Sequence, residues 1–244
     1  MRSFLITNDD GICADGIVRL ARMAKQLGEV WVFAPEHQRS AASHSITLHG
    51  SIDVFPHAFP VEGVHAFAVR GTPGDCVRVG CLNILPQKPD AVLSGINFGY
   101  NVASDIQYSA TAGAAFEAAF QGCHAIAFSE ATNDHPEIAD TYLPEILREL
   151  LDKPLSAGQI WNVNFPGCPL DECRGILRGR TVSRGMFFRD SYTEEAIEGG
   201  GMRYTVSGEY NEDAENGTDF RALVDKYISV GTANNIGFDT ANGI

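Results

Sequence analysis

No apolar run in this 244-residue chain approaches the ~20 residues that a membrane-spanning helix needs. The opening residues, Met-Arg-Ser-Phe-Leu-Ile-Thr-Asn-Asp-Asp, lack the long apolar stretch and small-residue cleavage site of a secretory leader. Cysteine pairing is missing too. Cys13, Cys76, Cys81, Cys123, Cys168 and Cys173 are scattered, and none forms a C-x-x-C pair. Most are expected to be small buried apolar residues, with Cys13 exposed in the first loop. These absences predict a cytoplasmic protein without a membrane partner. Positive charge is scarce: 18 Lys and Arg stand against 31 Asp and Glu, for a net charge of -13. The pI near 4.9 argues against general affinity for a nucleic acid polymer or an anionic membrane. A small anionic substrate would need a local cation or backbone donors.

Several catalytic signatures are also absent. There is no G-x-G-x-x-G, no P-loop lysine, no G-x-S-x-G nucleophile elbow and no H-E-x-x-H or paired cysteine-histidine spacing. The last absence counts against structural zinc. What remains is an ordinary globular composition, 44% hydrophobic and 20% charged, with a mean hydropathy of -0.08. The length suits one substantial core, or a core with a smaller appendage.

The chain opens on a buried strand, Phe4-Leu5-Ile6, that ends abruptly in Thr7-Asn8-Asp9-Asp10-Gly11. Adjacent carboxylates so close to a core repel each other and need a partner. Helical spacing follows at Ile17, Leu20, Ala21, Ala24 and Leu27, with Gly28 as its expected C-terminal cap. Val30-Trp31-Val32-Phe33-Ala34 then reads as a strand covered on both faces. Strand, helix, strand makes a right-handed βαβ unit. Its loops lie at the C-terminal strand ends, where open α/β sheets keep ligands. Two readings of the aspartates stay open at this point: a divalent metal site, or an acidic solvated loop that caps the next helix.

Further along, residues 46–48 and 51–55 read as a small antiparallel excursion around Gly50. Phe67 to Val69 is a short apolar run. Thr72 as N-cap and Pro73 at the first helical position open a helix running through Val77, Val79, Cys81 and Leu82. Ala91-Val92-Leu93-Ser94 is a central strand, and residues 110–120 form an alanine-rich helix able to pack closely. Ala125 to Phe128 is a further strand. Asp134 and Pro136 open a long helix, and residues 160–165 read as the last strand of the sheet. Beyond Pro166 a basic β-prone stretch leads to an acidic, glycine-rich arm at 193–216 with few apolar residues. Thr218-Asp219 then caps a short helix, and Tyr227-Ile228-Ser229-Val230 is a final strand. The fold class is α/β: a Rossmann-like three-layer core with a mostly parallel sheet at 1–166, and a C-terminal extension with a β-hairpin arm at 167–244. The arm has too few apolar residues for its own core, so a subunit contact is expected.

Three loops should therefore meet on one sheet edge and offer Asp9, Asp10, Ser40 and Asn97. These are oxygen ligands of the kind that magnesium, manganese or calcium prefers. Taken alone, Ser40 and Asn97 are more often loop-capping residues. Ser109 and Thr111 precede and open the alanine-rich helix, whose N-terminus is either an anion site or an ordinary Ser/Thr cap. A cation facing such an anion site is the arrangement phosphoryl chemistry needs. His44, in the second loop, is a candidate phosphate donor or acid, with a partly exposed structural histidine as the plainer reading.

Taken together, the ordered motifs resemble the survival protein E (SurE) nucleotidases. The signature comprises T-N-D-D-G-I at 7–12, a serine-rich loop ending in S-I-T at 40–47, and G-T-P-x-D-C at 71–76. S-G-I-N-x-G-x-N at 94–101, Tyr108-Ser109 and Asn162-Val163-Asn164-Phe165-Pro166 complete it. The resemblance implies a Rossmann-like core whose extension exchanges hairpins between subunits, as a homodimer or homotetramer. It implies metal-dependent hydrolysis of nucleoside 5′- and 3′-monophosphates, with possible exopolyphosphatase activity. Carried over residue by residue, Asp9, Asp10, Ser40 and Asn97 hold one divalent ion (Mg2+ or Mn2+) per subunit. Asp9 or Asp10 is the catalytic carboxylate, and Asn101, Ser109, Thr111 and His44 contact substrate. Departures occur at Ala110, where the family has glycine, at Asp15 for proline, at Gly74 for alanine, and at 229–232. The rival readings are a haloacid-dehalogenase-like phosphatase, which would want D-x-D rather than adjacent aspartates, and a non-catalytic nucleotide-binding protein.

Overall fold

The computed structural model describes residues 1–132 and 135–235. Asp134, expected to open the long helix, and the tail from 236 onward lie outside the described residues. In chain order the elements are β1 (Arg2–Thr7), α1 (Asp15–Lys25), β2 (Gly28–Pro35), β3 (Val54–Pro56) and β4 (His65–Val69). Then come α2 (Pro73–Val79), which continues as a π-helical turn at Gly80–Ile84, β5 (Ala91–Phe98), a 3-10 turn at Ala103–Gln107 and α3 (Ala110–Phe120). β6 (Ala125–Glu130), α4 (Glu137–Leu151), β7 (Gln159–Phe165) and β8 (Ile176–Arg180) follow. The chain closes with β9 (Phe188–Ile197), β10 (Gly201–Tyr210), α5 (Asp219–Val224) and β11 (Ile228–Asn234).

Nine strands form one sheet in the order β3-β4-β2-β1-β5-β6-β7-β11-β8. The six central strands, β4 to β7 across the sheet, are mutually parallel. Alternation along them divides the core. Phe4, Ile6, Val30, Val32, Ile126 and Phe128 face the apolar stripes of α1 and α4. Leu5, Phe33, Val92, Ala125 and Ala127 face α2 and α3. The result is the expected three layers. Residues covered on both faces need the near-continuous apolar runs that the sequence carries.

Local signals account for the helix starts. Thr72 accepts from Asp75 N and Asp75 accepts from Thr72 N, a reciprocal capping box with Pro73 inside it. Ser109 caps α3 by accepting from Ala112 N at 2.9 Å, and Thr218 caps α5. Arg19 is buried on α1 with 8% of its side chain exposed. It donates to both Glu130 oxygens at 2.6 and 3.1 Å, to Asp140 at 2.8 Å and to the Pro136 carbonyl at 3.0 Å. One guanidinium thus ties α1 to the end of β6 and the start of α4.

Long-range contacts overturn five expectations. Gly28 does not cap α1, which ends on Gln26; it opens β2 opposite Arg2. Residues 46–48 form no strand, because Thr47 spends its N–H and hydroxyl on the Asp75 carboxylate at 2.8 and 2.7 Å. Only Val54–Pro56 pairs as a strand in this region, antiparallel to β4. β7 does not end the sheet: β11 pairs antiparallel to it, and β8 adds parallel to β11. β11 also runs past Val230, where a Cβ on Gly231 would come within 1.9 Å of the Arg180 carbonyl oxygen. The arm begins earlier than 193 and is a two-stranded hairpin, β9 with β10, in register from Phe188↔Tyr210 to Ile197↔Gly201.

Removing a single partner from a buried ion pair leaves an uncompensated charge. Arg19→Met should therefore destabilise the protein by about 3 kcal/mol, measured as a lower urea midpoint at neutral pH.

Candidate metal and phosphate site

The central strand order, β4-β2-β1-β5-β6-β7, reverses between β1 and β5. Neighbouring loops leave in opposite directions there and open a crevice at the carboxyl ends of the strands. Asp9 and Asp10 follow β1, while Asn97 lies at the end of β5, so the carboxylates and the amide flank that crevice. The loop after β2 enters from the side. Arg39 N–H donates to the Asp9 carbonyl at 2.7 Å and Ser43 N–H to the Tyr108 carbonyl at 3.0 Å. Gly113 permits this approach, since a Cβ there would lie 2.6 Å from the Ser43 carbonyl oxygen.

Hydrogen bonds draw together the loops that carry the four expected ligands. Asp10 accepts from Phe98 N–H at 3.1 Å, beside Asn97. The Gln38 amide donates to Asp10 at 3.4 Å and to Ser40 Oγ at 2.9 Å, so one NH2 group links the first and second loops. Asn97 spends Nδ2 on the Gly99 carbonyl at 2.7 Å, which leaves Oδ1 as its available donor to a cation. Asp9 accepts from Thr111 Oγ1 at 2.5 Å. No three His, Cys, Asp or Glu side chains gather as a metal cluster among the described residues. A cation here would thus meet two carboxylates completed by neutral oxygens, a set suited to hard ions.

Burial pushes the Asp9 carboxyl up to about 6, the Thr111 hydrogen bond partly opposes this, and the neighbouring Asp10 charge adds to it. Asp10 also lies above its ordinary value because of burial, against the Phe98 and Gln38 donors. The protein alone leaves this pair under-compensated.

The remaining candidates divide. Ser109 and Thr111 sit at the start of α3, buried. Thr111 gives its hydroxyl to Asp9, so it orients the carboxylate. The first amides of α3, at Ala110 and Thr111, are among the donors that a helix cannot satisfy internally. The side chains of Asn101 and His44 both have partners within the protein. Asn101 is buried and donates Nδ2 to Ser129 Oγ at 2.7 Å. Its backbone is clamped by Asn164 and Asn162, which accept from its N–H at 2.8 Å and donate to its carbonyl at 2.8 and 3.2 Å. His44 has Nε2 on Glu117 at 2.8 Å and Nδ1 on Asn235 at 3.0 Å. Both ring nitrogens are engaged, and Glu117 lies two helical turns from Ser109. The plainer reading of His44, as a structural residue, fits this geometry.

Sequence reasoning missed three positioning residues. Gln38 bridges two loops, Asp75 holds the S-I-T segment, and buried Asp219 accepts from Ala103 N at 3.3 Å and Ser183 N at 2.9 Å. Asp75 and Asp219 stood inside quoted motifs. Gln38, in a polar loop, carried no signal.

The raised Asp9 value sets a sign for pH dependence. Below about pH 4 the carboxyl is protonated in both folded and unfolded chains and costs nothing. As pH rises from the ordinary value of 3.8 through about 6, the unfolded chain releases its proton first, so stability falls. At about 1.4 kcal/mol per tenfold, the loss is about 3 kcal/mol. Without divalent ions, Asp9→Asn should raise the unfolding free energy at neutral pH by on the order of 2 kcal/mol, measured by urea denaturation. The gain should shrink toward pH 4.

The profile of the family described as Survival protein SurE matches residues 4–186. The chain is 39% identical over 231 residues to the 5′-nucleotidase SurE of Pelobacter propionicus, covering 93% of this chain and 90% of that one. It is 40% identical over 238 residues to the 5′-nucleotidase SurE of Nitrobacter winogradskyi, covering 93% and 91%. The crystal structure of the SurE protein from Aquifex aeolicus superposes with a TM-score of 0.82 at 32% identity, over 97% of this chain and 95% of that chain. With the same fold, most of its length matched and the ordered motifs in place, this chain belongs to the SurE family.

Proposed function

We propose that the protein is a divalent-cation-dependent 5′-nucleotidase, hydrolysing nucleoside 5′-monophosphates to nucleoside and phosphate. The observation that carries this reading is the convergence of Asp10, Ser40 and the Phe98 amide beside Asn97, facing the start of α3 across the switch point. The relatives named 5′-nucleotidase supply the substrate class. Nucleoside 3′-monophosphates and terminal phosphates of polyphosphate are further candidate substrates, and the protein is proposed to work in the cytoplasm.

Asp9, Asp10, Ser40 and Asn97 would hold one Mg2+ or Mn2+ per subunit. Such an ion neutralises charge developing on phosphate oxygens and lowers the pKa of a nucleophile. The protein's own groups do the rest. Thr111 fixes the Asp9 carboxylate in position, and Gln38 sets the spacing of Asp10 and Ser40. The unpaired amides opening α3, with the Ser109 hydroxyl, receive the phosphate oxygens that face away from the carboxylates. The nucleophile is water or the carboxylate of Asp9 or Asp10.

The extension, 167–244, is proposed to serve assembly of a homodimer or homotetramer around a catalytic core at 1–166. Register places Tyr192 opposite Val206, with the Glu194–Tyr204 and Ala196–Met202 pairs on the same face of the hairpin. The other face carries Ser191, Thr193, Glu195, Arg203, Thr205 and Ser207. An isolated two-stranded ribbon is marginal in water, and this one exposes Tyr192, Met202, Tyr204 and Val206 together. A second copy that covers the apolar face resolves both problems.

Three measurements test the reading. Phosphate release from a nucleotide panel should require Mn2+ or Mg2+; metal-independent turnover, or none with any divalent ion, would overturn it. Asp9→Asn should lower turnover by at least about 10^2-fold with far-UV circular dichroism unchanged. Adding Mn2+ should raise the melting temperature of the wild type and leave that of the variant nearly unmoved. For assembly, Tyr192→Glu combined with Val206→Glu should shift the protein to monomer mass in light scattering.

A further inference from the structure

The loop joining Asn97 to Ser109 carries a candidate ligand at each end and encloses a cavity in between. The cavity measures about 410 Å³ and is lined by Tyr100, Asp105, Thr132, Phe187, Phe188 and Tyr210. That is within the range of small-molecule sites, roughly 300–1,000 Å³. Its aromatic wall is built from two parts of the chain. Phe187 meets Tyr100 edge-on with centroids 5.7 Å apart and tilts against Tyr210 at 5.1 Å, while Phe188 meets Tyr210 at 5.4 Å. Tyr100 is fixed because its hydroxyl accepts from Gly167 N–H at 2.6 Å. Phe187 is fixed by Phe220 at 5.2 Å. Tyr210, by contrast, is 63% exposed, which leaves ring surface open to a ligand.

The cavity adjoins the proposed metal cluster through one residue. Gly99 belongs to its lining, and the Gly99 carbonyl receives Asn97 Nδ2. A Cβ on Gly99 would be 3.5 Å from that nitrogen and 3.7 Å from Thr132 Cγ2. At its floor, Asp105 belongs to the 3-10 turn that runs directly into the start of α3. A flat, weakly polar group attached to a phosphate held between Asn97 and α3 would enter here. The cavity on the other side of Phe98 has the same volume, about 410 Å³, but its wall holds Asp10, Asp15, Arg19 and Glu130. A heterocycle there would strip water from charged groups without replacing it.

We infer that the cavity at Tyr100, Phe187, Phe188 and Tyr210 is the nucleobase subsite, in which the base of the substrate stacks on an aromatic wall contributed by the root of the hairpin. The inference rests on the nucleotidase reading above. Stacking accepts any base, because every base has a π face. The wall therefore selects nucleotides over sugar phosphates more strongly than it selects among bases.

The test compares AMP with ribose 5-phosphate, the same ester without its base, in the presence of Mn2+. Tyr210→Ala should lower kcat/KM for AMP roughly tenfold more than for ribose 5-phosphate, and Tyr210→Phe should restore the wild-type ratio. Adenosine should compete with ribose 5-phosphate in the wild type and lose about tenfold in inhibition constant in Tyr210→Ala. Equal effects on the two esters, or none on either, would overturn the subsite while leaving the nucleotidase reading intact. A wild-type enzyme that hydrolyses ribose 5-phosphate as efficiently as AMP, with no competition by adenosine, would overturn it too. Absence of turnover on both esters with any divalent ion would remove the nucleotidase reading and the subsite with it.

Discussion

Asp9 and Asp10 stand side by side at the end of the central strand, one buried and one half-covered, and like charges so placed repel. The surrounding structure is arranged to tolerate them. Thr111 donates to Asp9, while Phe98 N–H and the Gln38 amide donate to Asp10. Those donors come from α3, from the end of β5 and from the loop after β2. The elements that must close on the carboxylates are thus the ones that form the crevice. None of the donors carries a full positive charge, so the pair keeps a deficit that only a cation in the crevice would cancel. Stability is given up at the position proposed to bind a cation, a common bargain at functional sites.

Keeping neutral donors in place takes a second set of contacts, remote from the crevice. Buried polar side chains clamp the second and third loops. Asp75 gathers the N–H and hydroxyl of Thr47 and the N–H of Thr72, which holds the end of the second loop to the start of α2. Asn162 and Asn164, two residues apart on β7 and so on one face of the sheet, hold the backbone of Asn101. Asp219, at the start of α5, holds Ala103 two residues further on. Buried polar groups are costly unless fully paired. Paired as the Asp75, Asn164 and Asp219 side chains are, they fix one arrangement of otherwise irregular backbone.

This division explains what could be read from the sequence. Periodicity and caps are local, so the parallel core, the Thr72-Pro73 helix start and the Thr218-Asp219 cap were all legible. The aspartate pair was legible because two carboxylates after an apolar run are physically awkward wherever they occur. Partners far apart in the chain were not. Nothing near Thr47 announces that its polar groups serve Asp75, so 46–48 read as a strand. Nothing near His44 announces Glu117 and Asn235, so its partners could not be named from the sequence. The weak pattern after Val230 concealed the second half of β11, whose Gly231 is dictated by the close passage of Arg180. The ordered motifs supplied the same four ligands by resemblance, yet they did not say which residues touch ligand and which hold the loops. Asn101 and Asp219 both lie in motifs, yet Asp219 holds the backbone of Ala103 while Asn101 is itself held by Asn162 and Asn164.

The extension is then more than an appendage to the crevice. β11 pairs with β7, α5 brings Asp219 to the third loop, and Phe187 is packed between Tyr100 and Phe220. A chain ending at Phe165 would keep Asp9, Asp10, Ser40 and Asn97 in its covalent reach. It would lose the clamp on Ala103 and three of the four aromatic rings around the cavity. The same hairpin face that exposes Tyr192 and Val206 at mid-length presents Phe188 and Tyr210 at its root. One alternation of apolar residues along two strands thus supplies both the exposed face proposed for a second copy and a wall of the cavity, and a single register sets the two in fixed relation.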